Sequence, residues 1–294
     1  MSPVRLALGC ASAMGRVNRR QSLRAFATAY EHGVRRFDVA RSYGWGEAEG
    51  LLGEFLAGRP RDGYEITTKC GILPTRPGRI KSLAKGMARQ VMDLFPATRS
   101  VVKTVAAGAV APTRTTDIGA LSRSLDTSLR ELGTDYVDTL LLHNFVPDFP
   151  ELDRVIEFFE RARTASKTRN YGLSITGNLR AGLARIEREW VDGRFVVQVP
   201  VSGALFVENP AARGLRVQAY APFRFMKEQG LDGSDGAALL AALSKRAACE
   251  VVICSMMTPA HIAANVETAG AAERVNSAGI DEVLGRLSNR GSGP

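Results

Sequence analysis

The sequence predicts an α/β protein folded as a closed (β/α)8 TIM barrel, and three observations lead there. The chain has 294 residues, which suits one barrel of about 250 residues with additions. Eight short apolar, β-branched runs recur along it, separated by longer stretches with helical periodicity, the rhythm of βα units around a parallel sheet. No GxGxxG follows the first run, which argues against an open doubly wound sheet.

The elements fall in order. The first strand is read at Val4–Cys10. A helix over Asn18–His32 places Leu23, Phe26, Ala27 and Tyr30 on one face, and Gly33 stands where a C-cap belongs. Strands follow at Val34–Ala40 and Tyr64–Lys69. The rhythm then breaks: residues 71–116 are too long for an ordinary βα loop. This insertion after the third strand should leave the barrel at its C-terminal face, as a lid or as a solvated decoration. A helix at Thr116–Leu132 aligns Leu121, Leu125, Leu129 and Leu132, with Gly133 as its stop. The remaining strands are Tyr136–His143, Arg169–Ile175, Phe195–Pro200, Leu215–Tyr220 and Glu250–Ser255, with further helices at Leu152–Ala165 and Gly236–Ala248. Asn289–Pro294 reads as a disordered tail. One barrel domain, 1–294, is expected.

Composition narrows the class. Hydrophobic residues make up 45% and charged residues 23%, enough apolar material for a core that needs no disulfides. Cys10, Cys70, Cys249 and Cys254 form no CxxC pair and lie at no zinc-ligand spacing, so no metal site is expected and the thiols are read as reduced. The N-terminus lacks the apolar run of a secretory signal, and no stretch reaches the roughly 18 apolar residues of a membrane span. The expected location is the cytoplasm. The net charge is +9, and residues 71–116 hold most of it: Arg76, Arg79, Lys81, Lys85, Arg89, Arg99, Lys103 and Arg114 face one acid, Asp93. A local cluster of that kind suits an anionic visitor. Nucleic acid is a poor candidate, because Phe95 is the lone aromatic there.

Chemistry gathers at strand ends. Asp38 closes VRRFD and Tyr43 follows five residues later; Lys69 closes YEITTK; His143 closes VDTLLLH. In a barrel these ends converge on one mouth. An Asp, a Lys and a His beside apolar strands are costly to bury unless they pair or work. Trp45, Phe145, Phe223 and Phe225 also follow strand ends, either lining an apolar pocket or packing beneath loops.

FDVARSYGWGEAEGLLG, with Glu49 ahead of Leu52 and Gly53, resembles the signature of the aldo-keto reductase family. EITTKCG and SLDTSLRELGTDYVDTLLLHN resemble the family's lysine and histidine segments. YGLS, VVQVPVS, QAYAPF and MTPAHIAANVE follow in the family's order. The resemblance implies a nicotinamide-dependent oxidoreductase interconverting a carbonyl and an alcohol. Tyr43 would be the proton donor, Lys69 would lower its pKa, Asp38 would hold Lys69, and His143 would hydrogen-bond the carbonyl oxygen and assist proton transfer. It further implies Ser174 and Gln198 on the nicotinamide amide, Tyr220 stacked on its ring, Asn265 on the adenine, and Ser255 and His261 at the dinucleotide's far end.

There are two departures. Ile175 follows Ser174 where the family has Asn, and Ser255, Met256, Met257 and His261 offer no Lys or Arg for a 2′-phosphate. Arg224 or Lys227 could substitute. NADP(H) is the family's default cofactor and NAD(H) the alternative. The expected partner is a small carbonyl or alcohol, anionic or carrier-bound if the basic segment serves it, and the expected assembly is a monomer or small homo-oligomer. Two other readings stay open: a redox-neutral epimerase or eliminase relative, and a non-catalytic cofactor-binding regulatory subunit.

Overall fold

The computed structural model describes residues 5–74, 113–186, 190–191, 193–205, 214–245, 247 and 249–290. Eight strands close into a parallel barrel in chain order: β1 (Leu6–Gly9), β2 (Arg36–Asp38), β3 (Glu65–Cys70), β4 (Val137–Phe145), β5 (Thr168–Ile175), β6 (Phe195–Pro200), β7 (Arg216–Tyr220) and β8 (Cys249–Cys254). Closure is made by β1 on β8, with Leu6 opposite Val252 and Leu8 opposite Cys254.

Helices cover the barrel: α1 (Arg19–Glu31), α2 (Ala48–Leu56), α3 (Ile118–Leu132), α4 (Leu152–Thr164), the short α5 (Leu179–Ala184), α6 (Val201–Ala204) and α7 (Pro222–Glu228), then α8 (Asp235–Lys245), α9 (Pro259–Ala272) and α10 (Ser277–Arg290). Local signals explain their ends. Asn18 caps α1 by accepting from Gln21 N (2.9 Å), and Asp117 caps α3 by accepting from Ala120 N (2.7 Å). Gly133 takes the left-handed conformation that stops α3, at φ 66°.

Alternation along the strands sorts the side chains. Phe37 and Ile66 turn outward into the main core, where Phe37 meets Phe26 and Phe55. Ala7, Val251 and Ile253 form a separate apolar cluster, with Tyr220 against it. Phe145 belongs to the main core, fully buried against Phe149; the pocket role open to it from the sequence does not hold.

The long segment after β3 leaves and returns at one point, since Ile72 pairs with Arg114. The lid or decoration read at 71–116 otherwise lies outside the described residues. The C-terminal tail read from Asn289 starts too early, because α10 runs to Arg290. No described helix is long and apolar enough to cross a membrane.

Candidate active site

The lumen is strung with polar side chains from five strands. Lys69 Nζ on β3 donates to Asp38 Oδ1 on β2 (2.6 Å), to Val39 O (3.1 Å) and to the Tyr43 hydroxyl (3.3 Å). Gln198 on β6 donates from Nε2 to Asp38 Oδ2 (2.7 Å) and to Gln218 Oε1 on β7 (3.1 Å). Strands β2 and β6 stand on opposite sides of an eight-stranded ring, so the Asp38–Gln198 bond crosses the lumen. Ser174 Oγ on β5 lies 3.2 Å from Gln198 Oε1. Lys69 and Asp38 are almost wholly buried, and a buried pair keeps its charge only if every lone pair and proton finds a partner. Here Asp38 accepts on both oxygens and Lys69 donates three times.

Tyr43 reaches this pair from a short 3-10 turn, Tyr43–Gly46, beyond β2. The turn passes so close to the loop after β1 that a Cβ on Gly44 would sit 2.6 Å from Met14 Cβ and 2.7 Å from Ala13 O. Gly44 also has φ 57° and Trp45 φ 64°, a conformation uncommon for a bulky residue. His143 faces Tyr43 edge to face, ring centroids 5.6 Å apart at 80°. The four residues read from the sequence as catalytic therefore share one mouth.

Electrostatics assigns protons to them. Burial raises the pKa of Tyr43; Lys69 pulls it down but does not prevail. Lys69 does lower it, as expected from the sequence; burial, which the sequence does not show, has the larger effect, so the phenol holds its proton more firmly than free tyrosine, because desolvation of a phenolate outweighs one neighbouring cation that is itself shared with Asp38. Burial pushes Lys69 down, but the Asp38 carboxylate and the hydrogen bonds to Asp38 and Tyr43 outweigh it, so Lys69 stays an ammonium. His143 is pushed down to about 3 by burial, with Lys69 and Arg114 adding to the effect. Its imidazole is neutral at any ordinary pH and can donate one N–H, but it is no acid reserve. Its buried Nδ1 has no hydrogen-bond partner among the described residues.

A pH prediction follows. The His143 imidazole, followed by NMR, should show no protonation step between pH 5 and 9, because burial pushes its pKa down to about 3. An inflection near the ordinary histidine value of about 6.5 that disappears in His143→Gln would overturn the neutral imidazole.

The other sequence-read residues are placed as follows. Tyr220 ends β7, half-buried, and burial raises the pKa of its hydroxyl. Asn265 on α9 is buried, and its Nδ2 donates to Met256 Sδ at 3.4 Å, a weak acceptor for an amide. Ser255 is exposed beside Ser12, their hydroxyl oxygens 3.3 Å apart. His261 is exposed in the first turn of α9, which Thr258 caps. Arg224 is exposed and bound to Glu228 at 2.7 Å, so it is already occupied. Lys227 is exposed; Phe223 stands 36% exposed and Phe225 is half-buried.

Arg41 was not singled out from the sequence. It is 3% exposed. Nη1 meets Glu49 Oε2 on α2 at 2.5 Å, and Nη2 reaches Gly46 O (3.2 Å) and Glu131 Oε1 on α3 (3.3 Å). Thr68 Oγ1 closes the set onto Glu49 Oε1 (2.6 Å). This cluster ties the Tyr43 turn to two helices and to β3. A second feature is a cavity of about 190 Å³ at the N-terminal end of the barrel, lined by Arg36, Glu65, Arg169, Arg216 and Glu250 at strand starts, with Asp38 and Gln218 also in its wall. Tyr43 and His143 do not line it, so it is not where a substrate would meet them.

A sequence profile described as the Aldo/keto reductase family matches residues 5–203. An uncharacterized oxidoreductase of Bacillus subtilis, YcsN, is 33% identical over 148 residues, 49% of this chain and 39% of that protein. The NADH-specific methylglyoxal reductase of Escherichia coli is 24% identical over 221 residues, 74% of this chain and 60% of that protein. The matched segments thus span less than two thirds of these curated relatives. Among solved structures, the glycerol dehydrogenase AKR11B4 of Gluconobacter oxydans superposes with a TM-score of 0.71 at 16% identity, covering 100% of this chain and 94% of that one. The aldo-keto reductase AKR11C1 of Bacillus halodurans, in its holo form, gives 0.69 at 18%, covering 97% and 93%. At that identity the superpositions speak for the fold. The profile speaks for descent, and its match over most of the chain shows that the chain belongs to the aldo/keto reductase family.

Proposed function

We propose that the chain is an oxidoreductase that interconverts a carbonyl and an alcohol, with Tyr43 as proton donor and a nicotinamide dinucleotide as cofactor. The observation that carries this reading is Lys69 Nζ, which hydrogen-bonds Asp38 and the Tyr43 hydroxyl at once beside a neutral His143. The bound cofactor supplies the hydride. The chain's own residues handle the proton. Tyr43 keeps its O–H at neutral pH and gives it to the oxygen that becomes the alcohol. Lys69 stays charged and steadies the phenolate left behind. Asp38 keeps Lys69 in place, and His143 donates an N–H that orients the carbonyl oxygen.

Two further features suit a dinucleotide. Asn265 is a buried amide bonded to a sulfur, a group that gains from a polar ring edge. Tyr220 presents a half-buried ring on the rim that carries Tyr43. Gln198 spends both protons of Nε2 on Asp38 and Gln218. Its Oε1, now near Ser174, is the atom left to accept from a carboxamide. We also read 1–294 as one barrel domain with 71–116 as an insertion, because both ends of that segment meet over β3.

The test is turnover of aldehydes and ketones with NADPH and with NADH; no oxidation of either cofactor across such a panel would refute the reading. We expect weak discrimination between the two, since Ser255, Met256, Met257 and His261 carry no fixed cation and Arg224 is held by Glu228. Fluorescence titration checks this. NADPH binding a thousand-fold tighter, about 4 kcal/mol, would mean a dedicated phosphate clamp and defeat the expectation.

A further inference from the structure

Residues 113–116 return to the barrel at the C-terminal end of β3. Leu73 N donates to Thr113 O (2.9 Å) and Thr115 N to Gly71 O (2.9 Å), which locks Arg114 opposite Ile72. Ile72 is three residues beyond Lys69, so the backbone of Arg114 is fixed just past the C-terminal end of β3, the strand that carries Lys69. The Arg114 side chain is exposed. Its charge is felt at His143, where Arg114 and Lys69 act together.

Three other cations at this end of the barrel have carboxylate partners. Lys69 is met by Asp38, Arg41 by Glu49 and Arg224 by Glu228. Among the described residues no carboxylate pairs with Arg114. Arg114 is thus a guanidinium on a fixed stretch of backbone, with no counter-charge among the described residues, and its charge reaches His143. A planar guanidinium fork matches one carboxylate through two parallel N–H···O bonds, and a cation at the mouth of a cleft draws an anion toward it.

We infer that Arg114 selects carbonyl substrates that bear a carboxylate, pairing with it while the carbonyl oxygen lies between Tyr43 and His143. This rests on the reductase reading above and adds the substrate class to it. Arg114 is a specificity residue here: it takes no proton and leaves the chemical step to Tyr43.

The experiment compares oxo acids with neutral aldehydes of equal carbon count: glyoxylate against acetaldehyde, and succinic semialdehyde against butanal. Each is assayed with the wild type, Arg114→Gln and Arg114→Lys. The wild type should prefer the oxo acid of at least one pair. Arg114→Gln should lose about 10- to 100-fold in kcat/KM on it, the range of one charge-assisted contact. Arg114→Lys should retain part of the preference, since the charge remains without the fork. Turnover of butanal should stay the same in all three, which also controls for folding. Added NaCl should depress the wild-type rate on the oxo acid and leave Arg114→Gln flat. Succinate, which has no carbonyl to reduce, should compete with butanal in the wild type and not in Arg114→Gln.

If butanal is reduced but neither oxo acid is favoured, or the preference survives Arg114→Gln, the inference about Arg114 is wrong and the reductase reading stands. If no substrate is turned over with either cofactor, the reductase reading falls and takes this inference with it.

Discussion

Tyr43→Phe should lower kcat for carbonyl reduction by about 10²- to 10⁴-fold, the span of lost general-acid catalysis, and leave cofactor affinity unchanged. The ring stays, so the edge-to-face contact with His143 (5.6 Å) survives. Lys69 loses its 3.3 Å hydrogen bond to the phenol but keeps Asp38 and Val39 O. In the proposed reaction, what is lost is the proton that the product oxygen takes from Tyr43. His143 cannot replace it, because an imidazole whose pKa is about 3 holds no second proton at neutral pH. The ammonium of Lys69 is also unwilling, since Asp38 and Tyr43 hold its pKa up. The pH behaviour gives a second check. The pKa of Tyr43 is raised, so wild-type reduction should hold through neutral pH and fail only as the phenol ionises. Alcohol oxidation, which needs the phenolate as base, should climb over the same range. Tyr43→Phe should abolish both dependences. Near wild-type turnover in this variant would remove Tyr43 from the mechanism.

Much of this was legible in the sequence, for identifiable reasons. Strands of a closed parallel barrel are buried on both faces and read as unbroken apolar runs. The runs at Phe195–Pro200 and Leu215–Tyr220 accordingly match β6 (Phe195–Pro200) and β7 (Arg216–Tyr220). Where a strand continues past its apolar run, the ending is hidden: β4 goes on through His143 and Asn144 to Phe145, across a register shift after Leu142. Helices with a clear apolar stripe, such as α3, were readable, whereas α5, α6 and α7 are too short for a period to show.

Asp38, Tyr43, Lys69 and His143 stood out because charged and polar types at the ends of apolar strands have few structural explanations. The direction of the Tyr43 shift was not legible, because it depends on how far burial outweighs one cation. Phe145 could not be told from a pocket residue, since strand ends feed both the mouth and the core. Arg41 gave no signal at all. Its partners Glu49, Thr68 and Glu131 are scattered over 90 residues, and only the folded chain brings them together.

Arg41→Met should destabilise the protein by about 3–5 kcal/mol, the usual cost of removing one partner of a buried ion pair. Arg41 and Glu49 have side chains 4% and 0% exposed. Without the guanidinium, Glu49 keeps only the Thr68 hydroxyl on its other oxygen, and an unpaired carboxylate in that position must either stay charged at high cost or take up a proton. The double variant Arg41→Met/Glu49→Gln removes the stranded charge and should recover much of the loss. Chemical denaturation of the two variants beside the wild type measures both. The two parts of the cluster also separate by function. Arg41 Nη2 holds Gly46 O, the end of the turn that begins at Tyr43. Both variants should therefore show a lower kcat with cofactor affinity retained, even where stability has returned, because a looser turn places the phenol less often within reach of Lys69 and of the carbonyl. A loss below about 1 kcal/mol in Arg41→Met, within the range of a solvent-exposed pair, would mean that the cluster is solvated and does not lock the turn. Full kcat in the stabilised double variant would mean that Gly44 and Trp45 hold Tyr43 in place without it.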